Sequence, residues 1–466
     1  MNILWLCNII IPVIAGRLGL ESTNKEGWIS GLFDRVLGGQ GENGITLSVA
    51  FPVPKAMLPQ GEEIFRKDLV LDGVTVACYG FYEDTTRPDC YDPALEERLF
   101  QIATESRPDV VHCFGTEYPH TLAICRVFPR KDRLLLGIQG LCAIYARVYM
   151  ADLPERVIRQ VTFRDWLKRD SLRQQQEKFT KRGVMEQEAV TLAGNITGRT
   201  TWDKNSTEMW NPRSRYFHMN ETLRPVFYGP VWDPGKCVPH SIFLSQGDYP
   251  IKGLHYMLAA LPAIAARYPD VTVHVAGNSL VEYGTWKQKL KISAYGKYLR
   301  SLLGRDQMGG KVSFLGRLGA EQMLEQYLCS HLFVCCSSIE NSPNSLGEAM
   351  LLGMPCVSAD VGGITSLFVD GVDGIVYEGG TGGGTRTAQN ESPVSADTGG
   401  SRMEQVAARL ADAVIRMWED QEKMLEYCKH ARSHALKTHD GKNNYHRLVE
   451  IYDAIAREKQ LDKEFT

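Results

Sequence analysis

Short apolar runs alternate with amphipathic segments along almost the whole chain, and this alternation restarts in the second half. The apolar runs of the first half predict strands at Asn2–Ile10, Ile45–Phe51, Val74–Tyr79, Asp109–Cys113, Leu134–Ile138 and Ala189–Gly194. Those of the second half predict strands at Ser241–Ser245, Val271–Ala276, Lys311–Leu315, Leu332–Cys336, Pro355–Ser358 and Gly374–Tyr377. Because helical patterns separate the strands, we expect an α/β chain of two doubly wound Rossmann-like domains facing each other across a cleft. Ligands of such domains bind at the carboxyl ends of the strands.

The length of 466 residues suits two large domains. We expect an N-terminal domain over 1–215, a linker over 216–240 that still packs, and a C-terminal domain over 241–435. Residues 378–402 are rich in Gly, Ser and Thr and almost lack large apolar side chains, so they predict a mobile insertion. Their glycines match neither the dinucleotide-binding nor the P-loop spacing.

Charge and cysteine usage exclude several classes of function. The 52 Lys and Arg against 55 Asp and Glu leave a net charge of −3, which provides no field to gather nucleic acid. The 12 cysteines form no CxxC pair, which indicates reduced, packed thiols and neither a metal site nor a disulfide framework. The apolar N-terminus lacks a basic start and a cleavage site, so we expect a cytoplasmic protein.

Residues 158–183 form a polar, helical stretch with 8 basic and 3 acidic residues. Two interpretations stay open. The stretch could lie on the inner face of an anionic membrane or contact an anionic acceptor. Alternatively, it is a solvated helix with ion pairs between residues four apart. The apolar side chains that interrupt it are Val161, Trp166, Leu167, Leu172 and Phe179.

The segment Ser337–Gly363 carries the main chemical signal. A predicted strand ends at its start, a short polar loop follows, and then a helix begins, with Ser342 before Pro343, or Asn344, as the N-cap. The free N–H groups and the positive dipole end of such a helix form an anion site.

Glu340 and Glu348 bracket this anion site. Carboxylates beside a phosphate site are sensible if they accept hydrogen bonds from hydroxyls, which sugars and riboses supply. In the segment SQGDYPIKGL, Lys252 opens a helix above another strand end, from where it can reach a diphosphate from the opposite side.

Together, Ser337–Gly363 and Ser245–Gly277 resemble the donor domain of family-four retaining glycosyltransferases, which have the glycosyltransferase-B fold. The resemblance is strong from Ser241 to Tyr377 and weaker before. It implies a metal-independent hexosyltransferase of glycan or polysaccharide biosynthesis that retains anomeric configuration. A nucleotide-diphosphate sugar would be the co-substrate, no other cofactor is implied, and a glycan or a lipid-linked molecule would be the acceptor.

Carried over residue by residue, the resemblance implies that Glu340 contacts hydroxyls of the donor sugar and Glu348 the ribose, while Lys252 neutralises the diphosphate. The final helix, within 436–466, would pack back on the N-terminal domain. The other donor contacts that the resemblance implies are the backbone N–H groups of Asn344, Ser345 and Leu346 and the base-cupping loop at Gly316.

The first half supplies further candidates and two departures from the family. The loop ESTNKEGW resembles the family's glycine-bearing loop, in which Gly27 lets the backbone approach the donor phosphate or the acceptor; a plain turn is the alternative. Gln246 stands where the family has an arginine, so Arg199 is a candidate replacement cation. Gln139 stands where many members have a histidine, and an amide can only form hydrogen bonds.

His112 and His120 flank the loop before Gln139 and are possible replacements for the missing histidine, although a lone histidine is more often structural. Three rival functions stay open. They are a glycosidase that uses Glu340 and Glu348 as acid and nucleophile, a two-domain sugar-binding protein without catalysis, and a sugar epimerase of the same fold. Product formation that depends on a nucleotide sugar separates the transferase from the first two.

Overall fold

The computed structural model describes residues 1–20, 27–281, 290–305, 308–380 and 401–461. The chain divides into two compact units. The first comprises Met1–Ile144, Lys178–Arg224 and His439–Thr466, and the second comprises Tyr145–Glu177 and Pro225–Thr438. Among the described helices, none combines the length and the apolar character that crossing a bilayer requires.

Fourteen strands lie in the described part of the chain. They are β1 (Asn2–Cys7), β2 (Thr46–Val53), β3 (Ile64–Leu71), β4 (Val74–Tyr82), β5 (Val110–Phe114), β6 (Leu134–Gly137), β7 (Asn195–Gly198), β8 (Arg215–His218), β9 (Val238–Leu244), β10 (Thr272–Val275), β11 (Val312–Phe314), β12 (Ser330–Cys335), β13 (Cys356–Asp360) and β14 (Ile375–Glu378).

The described helices follow the strands in alternation. They are α1 (Pro12–Leu18), α2 (Gly27–Asn43), α3 (Ala94–Ser106), α4 (Pro119–Val127), α5 (Cys142–Val148), α6 (Glu155–Ile158), α7 (Phe163–Lys168), α8 (Leu172–Leu192), α9 (Thr201–Trp210), α10 (Leu254–Arg267), α11 (Ala294–Arg305), α12 (Ala320–Cys329), α13 (Asn344–Leu352), α14 (Arg402–Glu419), α15 (Gln421–Thr438) and α16 (Gly441–Leu461).

The first unit is built on an eight-stranded sheet in the order β3-β4-β2-β1-β5-β6-β7-β8, parallel except for the antiparallel pair β3–β4. Residues 3–7 of the central β1 are all buried, because helices cover both faces of a parallel sheet. Trp5 faces the core beneath α2 and α16, whereas Leu4 faces a second core that includes Leu99 of α3. The indole N–H of Trp5 donates to the Tyr452 hydroxyl (2.8 Å), so the last helix is part of this unit.

The second unit contains a six-stranded sheet in the order β11-β10-β9-β12-β13-β14, with every pair parallel. The chain leaves β9 toward β10 on one side, and it leaves β12 toward β13 on the other. The loops after these two neighbouring strands therefore diverge at the carboxyl edge of the sheet. Such a topological switch point creates a crevice in which α/β proteins bind ligands.

The segment 145–177 corrects the predicted domain boundary, since it belongs to the second unit and not to the N-terminal domain. The Tyr256 hydroxyl donates to Asp152 (2.8 Å), and the backbone N–H of Ala294, the first residue of α11, donates to Asp165 (2.9 Å). These are long-range polar contacts, which no local hydrophobic pattern reveals.

Three further segments predicted from the sequence are described differently, or only in part, by the structure. The predicted strand Ala189–Gly194 is wrong, because α8 continues to Leu192 and the strand is β7. The predicted linker 216–240 begins inside β8 and ends inside β9. Of the predicted insertion 378–402, residues 381–400 lie outside the described residues. Its last residue, Arg402, is the first of α14, which begins with a capping box between Ser401 and Glu404.

Candidate functional site

The loops after β9 and β12 contact each other at the switch point of the second sheet. The backbone N–H of Ser338 donates to the Ile251 carbonyl (2.7 Å), and the thiol of Cys336 lies 3.5 Å from the Lys252 carbonyl. These bonds fix the backbone of the predicted lysine against the loop that carries the predicted glutamate. The two segments that the sequence analysis singled out therefore form one structural element.

Two glycines allow this close approach. Gly253 has a φ of +72°, and a Cβ atom there would collide with the carbonyl of Cys336. Gly362 has a φ of +56°, and its Cβ would collide with the carbonyl of Glu340. Because other residues rarely adopt positive φ, both positions require glycine twice over, for conformation and for space.

Lys252 and Glu340 form an ion pair at this point. Lys252 Nζ donates to Glu340 Oε1 (2.6 Å), and the Ser337 hydroxyl donates to the same oxygen (2.7 Å). The lysine side chain is 20% exposed and the glutamate side chain 10%. Burial is the largest single effect on the pKa of Lys252 and lowers it, but the charge and hydrogen bond of Glu340, together with Tyr249 and Tyr145, raise it by more, so the lysine stays protonated.

Helix α13 starts beside this pair without a side-chain cap. Its N-cap is Pro343, not the predicted Ser342 or Asn344, and a proline side chain cannot accept a hydrogen bond. The N–H groups of Leu346 and Gly347 donate to the Pro343 carbonyl (3.0 and 3.3 Å), while Asn344 and Ser345 are half-buried at the first turn. The start of α13 therefore keeps the character of an anion site.

Glu348 lies one turn further along α13 and is 3% exposed. The Tyr327 hydroxyl lies 3.0 Å from the Ser345 carbonyl and 3.3 Å from Glu348 Oε2, and it can donate to one of them at a time. Tyr327, from α12, thus orients the carboxylate against the helix start. Sequence reasoning missed this tyrosine, because only the fold brings it to α13.

Gln246 lies in the same loop after β9 as Lys252, whereas Gly316 follows β11 of the same sheet. Gln246 is half-buried in the loop after β9. Gly316 has a φ of +73°, and its carbonyl accepts from the Gly277 N–H (2.8 Å), which joins the ends of β10 and β11. Gln246 cannot act as a second cation beside Lys252, because its amide carries no charge.

Gln139 and Arg199 lie together in the first unit. Arg199 Nη2 is 2.7 Å from the Ile138 carbonyl and 3.3 Å from Gln139 Oε1, and Nη1 pairs with Glu221. The charge of Arg199 is therefore balanced within its own unit by Glu221, which the sequence analysis did not identify. A role of Arg199 toward the donor diphosphate stays a prediction.

The other candidates of the first half have structural partners or new positions. His120 is fully buried, and its Nδ1 lies 2.6 Å from Glu83. The predicted loop before Gly27 lies outside the described residues at 21–26, and Gly27 itself is the first residue of α2, so it is not a loop residue.

Within the described chain, no group of three or more His, Cys, Asp or Glu side chains is arranged to hold a metal ion.

Comparisons with known proteins match the part of the chain that contains these residues. Residues 239–384, which include Lys252, Glu340 and Glu348, match the family Glycosyl transferases group 1. Over 214 residues the chain is 26% identical to YtcC of Bacillus subtilis (strain 168), whose name assigns it provisionally to the glycosyltransferases; the match covers 45% of this chain and 44% of YtcC. It is 27% identical over 127 residues to the spore coat protein SA of the same organism, covering 27% of this chain and 32% of that protein. The chain thus spans less than half the length of these curated relatives.

Solved structures match nearly the whole chain. Sucrose-phosphate synthase from Thermosynechococcus elongatus superposes with a TM-score of 0.65 at 13% identity, covering 98% of this chain and 99% of that one. Anabaena HepE in complex with UDP-glucose superposes with a TM-score of 0.59 at 16% identity, covering 97% and 100%. The predicted fold class, with two Rossmann-like domains, is confirmed.

Proposed function

We infer from the membership of residues 239–384 in the Glycosyl transferases group 1 family, within a glycosyltransferase-B fold, that this chain is a glycosyltransferase that uses a nucleotide sugar. We propose that it moves a hexose-type sugar from a nucleotide-diphosphate sugar to a hydroxyl acceptor in glycan or polysaccharide biosynthesis. The observation that carries the proposal is the Lys252–Glu340 pair beside the uncapped start of α13, at the switch point of the second sheet.

In the proposed reaction the bond between the anomeric carbon and the diphosphate oxygen breaks, and the acceptor oxygen bonds to that carbon on the same face. The acceptor proton goes to the departing phosphate oxygen. Negative charge therefore develops on the diphosphate, where Lys252 and the N–H groups at the start of α13 stabilise it. The proposal assigns this neutralisation to protein groups and to no metal.

We assign Glu340 and Glu348 to the recognition of hydroxyl groups of the donor. Both described bonds of the Glu340 side chain use Oε1, so we assign Oε2 to the hydroxyls of the donor sugar. Glu348, oriented by Tyr327, is assigned to the ribose. Gln139 is assigned a positioning role, since an amide can donate and accept hydrogen bonds but cannot remove a proton.

The acceptor is proposed to be a glycan or a lipid-linked molecule, with the protein in the cytoplasm at the inner face of the membrane. Residues 158–183 form parts of α6, α7 and α8, and α7 and its flanks expose Val161, Phe163, Trp166 and Leu167, each to more than half. Lys168 and Arg169 are exposed next to them, and anionic lipids attract such a combination of apolar and basic groups. An ion pair of Glu155 with Arg159 favours the alternative of a solvated helix.

Vesicle flotation separates these two interpretations. Wild-type protein should float with vesicles of phosphatidylcholine and phosphatidylglycerol and not with phosphatidylcholine alone. Trp166→Ser should lose this binding, and Val231→Ser, which replaces another side chain of the same unit that is more than half exposed, should keep it. Equal binding by both variants would leave the solvated helix as the correct interpretation.

The donor proposal is tested by thermal shifts with UDP, GDP, ADP and their sugars. A ligand that binds only the folded state stabilises it by about 2.7 kcal/mol at 100 times its dissociation constant. Glu348→Gln should keep the unliganded melting temperature and lose most of the shift, whereas Glu321→Gln, an exposed glutamate of α12, should lose none. A full shift with Glu348→Gln would refute the ribose assignment. Hydrolysis of a glycoside without any nucleotide sugar would instead favour the glycosidase.

A further inference from the structure

The charge of Lys252, the cation of the candidate donor site, is already balanced by a neighbouring carboxylate. Lys252 Nζ donates to Glu340 Oε1 (2.6 Å), and among the described residues it is the only cation within ion-pair distance of Glu340. Both side chains are largely buried, so water and salt screen the pair weakly. A diphosphate that approaches Lys252 therefore also meets the negative charge of Glu340.

The backbone on each side of this ion pair is fixed by hydrogen bonds between segments that are distant in the sequence. The Ser338 N–H donates to the Ile251 carbonyl (2.7 Å), which holds the loop of Glu340 against the loop of Lys252. The Glu340 carbonyl accepts from the Gly363 N–H (2.9 Å). An anion at Lys252 therefore does not separate the two loops, and it changes only how the two side chains share their bonds.

The two oxygens of the Glu340 carboxylate differ in their partners. Oε1 accepts from Lys252 and from the Ser337 hydroxyl (2.7 Å), whereas Oε2 has no hydrogen-bond partner among the described residues. Hydroxyls of a donor sugar can donate to Oε2, and each such bond leaves less of the negative charge for Lys252. A nucleoside diphosphate without a sugar offers no hydroxyl there, so it competes with the full charge of the carboxylate.

The other candidate cations of the sequence do not replace Lys252 in this competition. Gln246, in the same loop, carries no charge. The charge of Arg199 is balanced by Glu221 within the first unit. The start of α13 supplies only the partial charge of a helix dipole. How strongly Glu340 holds Lys252 should therefore have a direct effect on the affinity for a diphosphate.

We propose that Glu340 makes the site select a nucleotide sugar over the free nucleoside diphosphate that the reaction leaves behind. The carboxylate competes with both molecules for Lys252, but only the nucleotide sugar compensates it with hydroxyl groups. After transfer of the sugar, Glu340 recovers its full charge and weakens the hold of Lys252 on the product. This inference rests on the proposed function, because it takes Lys252 as the diphosphate contact.

Titration calorimetry of the full chain tests this inference. The probes are inorganic pyrophosphate and the pairs UDP and UDP-glucose, GDP and GDP-mannose, and ADP and ADP-glucose. Glu340→Gln keeps the shape of the side chain and removes its charge. It should bind pyrophosphate and the nucleoside diphosphate at least about fivefold more tightly than the wild type, the lower end of the usual coupling between two ligands. Its preference for the nucleotide sugar over the diphosphate should fall by at least the same factor.

Asp248→Asn is the matched control, because it removes an exposed carboxylate from the loop that carries Lys252 and should leave this preference unchanged. Glu340→Asp keeps the charge but withdraws the carboxylate from Lys252. It should tighten the binding of the diphosphate by a smaller factor, and it replaces Glu340→Gln in the test if that variant does not fold.

The tighter binding should disappear when Glu340→Gln is combined with Lys252→Met, because the competition is for that ammonium group. Unchanged or weaker binding of the diphosphate by Glu340→Gln would overturn the inference, and so would tighter binding that persists without Lys252. In both cases the proposed function stands, as long as the wild-type protein binds a nucleotide sugar and Lys252→Met weakens that binding. If the wild-type protein binds none of the probes, the proposed function fails and this inference fails with it.

Discussion

Replacement of Gly253 by alanine tests whether the close approach of the two loops builds the donor site. Alanine at a φ of +72° costs about 1–2 kcal/mol for the left-handed backbone alone. The added Cβ also collides with the Cys336 carbonyl, and overpacking of this kind costs about 1–3 kcal/mol more. The sum of about 2–5 kcal/mol corresponds to a fall in melting temperature of about 4–20 °C for a unit of this size.

Gly371 provides the matched control, because it lies in the same unit with a φ of +69° and has no atom within 4 Å of its ideal Cβ position. Gly371→Ala should therefore lose only the backbone cost, about 2–8 °C. Calorimetric melting gives both values, and titration with UDP gives the affinity. Gly253→Ala should bind UDP at least about tenfold more weakly than Gly371→Ala, because the displaced loops separate Lys252 from the start of α13. Equal melting temperatures, or equal affinities for UDP, would refute this reasoning.

Three other replacements follow from the charges. Lys252→Met should weaken UDP binding strongly and leave Glu340 buried without its counter-charge. Lys252→Arg keeps the charge and should retain part of the affinity. Equal titration curves for the two variants would contradict the role of Lys252 in neutralising the diphosphate. Burial raises the pKa of Glu186 to about 8. The stability of the wild-type protein should therefore fall as the pH rises from about 4.3, the ordinary pKa of a glutamate, to about 8. Over this range the melting temperature of Glu186→Gln should rise progressively above that of the wild type. The hydrogen bond to Asp373 raises the pKa of His434. Its contribution to the stability of the fold is therefore present below about pH 6.5 and is lost as the pH rises through the raised pKa. NMR titration should show the raised pKa, and His434→Gln should be less stable than the wild type at pH 5 but not at pH 8.

The strands that the sequence predicts well are the buried ones. In β1 and β5 nearly every residue is apolar and buried, so a continuous apolar run marks them. The pattern did not predict β3, an edge strand with half of its residues exposed, or β8, whose residues are all at least partly exposed. It misplaced a strand at Ala189–Gly194 because Ala189 and Val190 lie on the buried side of the end of α8, and Ala193, just after the helix, is buried as well. A short apolar run at the end of a helix has no periodicity that separates it from a strand.

The candidate donor site was predictable to the extent that it depends on strand ends. Lys252 and Glu340 follow two neighbouring parallel strands, so topology alone brings them to one edge. Tyr327 and Glu221 were not predictable in the same way. Tyr327 reaches Glu348 from another helix, and Glu221 meets Arg199 from the loop after the neighbouring strand β8. Neither contact leaves a local signature in the sequence.

The two sheets place a similar ion pair at their carboxyl edges but surround it differently. In the second unit, Lys252 and Glu340 lie beside a helix that starts after proline, so the helix dipole adds a positive potential that a diphosphate can use. In the first unit, the helix after Arg199 begins with a capping box between Thr200 and Asp203, and the Asp203 carboxylate also accepts from the Arg199 N–H, so the helix dipole is already compensated. The start of α13, which has no side-chain cap, is therefore the edge at which we propose the diphosphate site. In the proposed reaction the acceptor alcohol needs a different environment from the diphosphate, because the alcohol is uncharged and the leaving group is an anion.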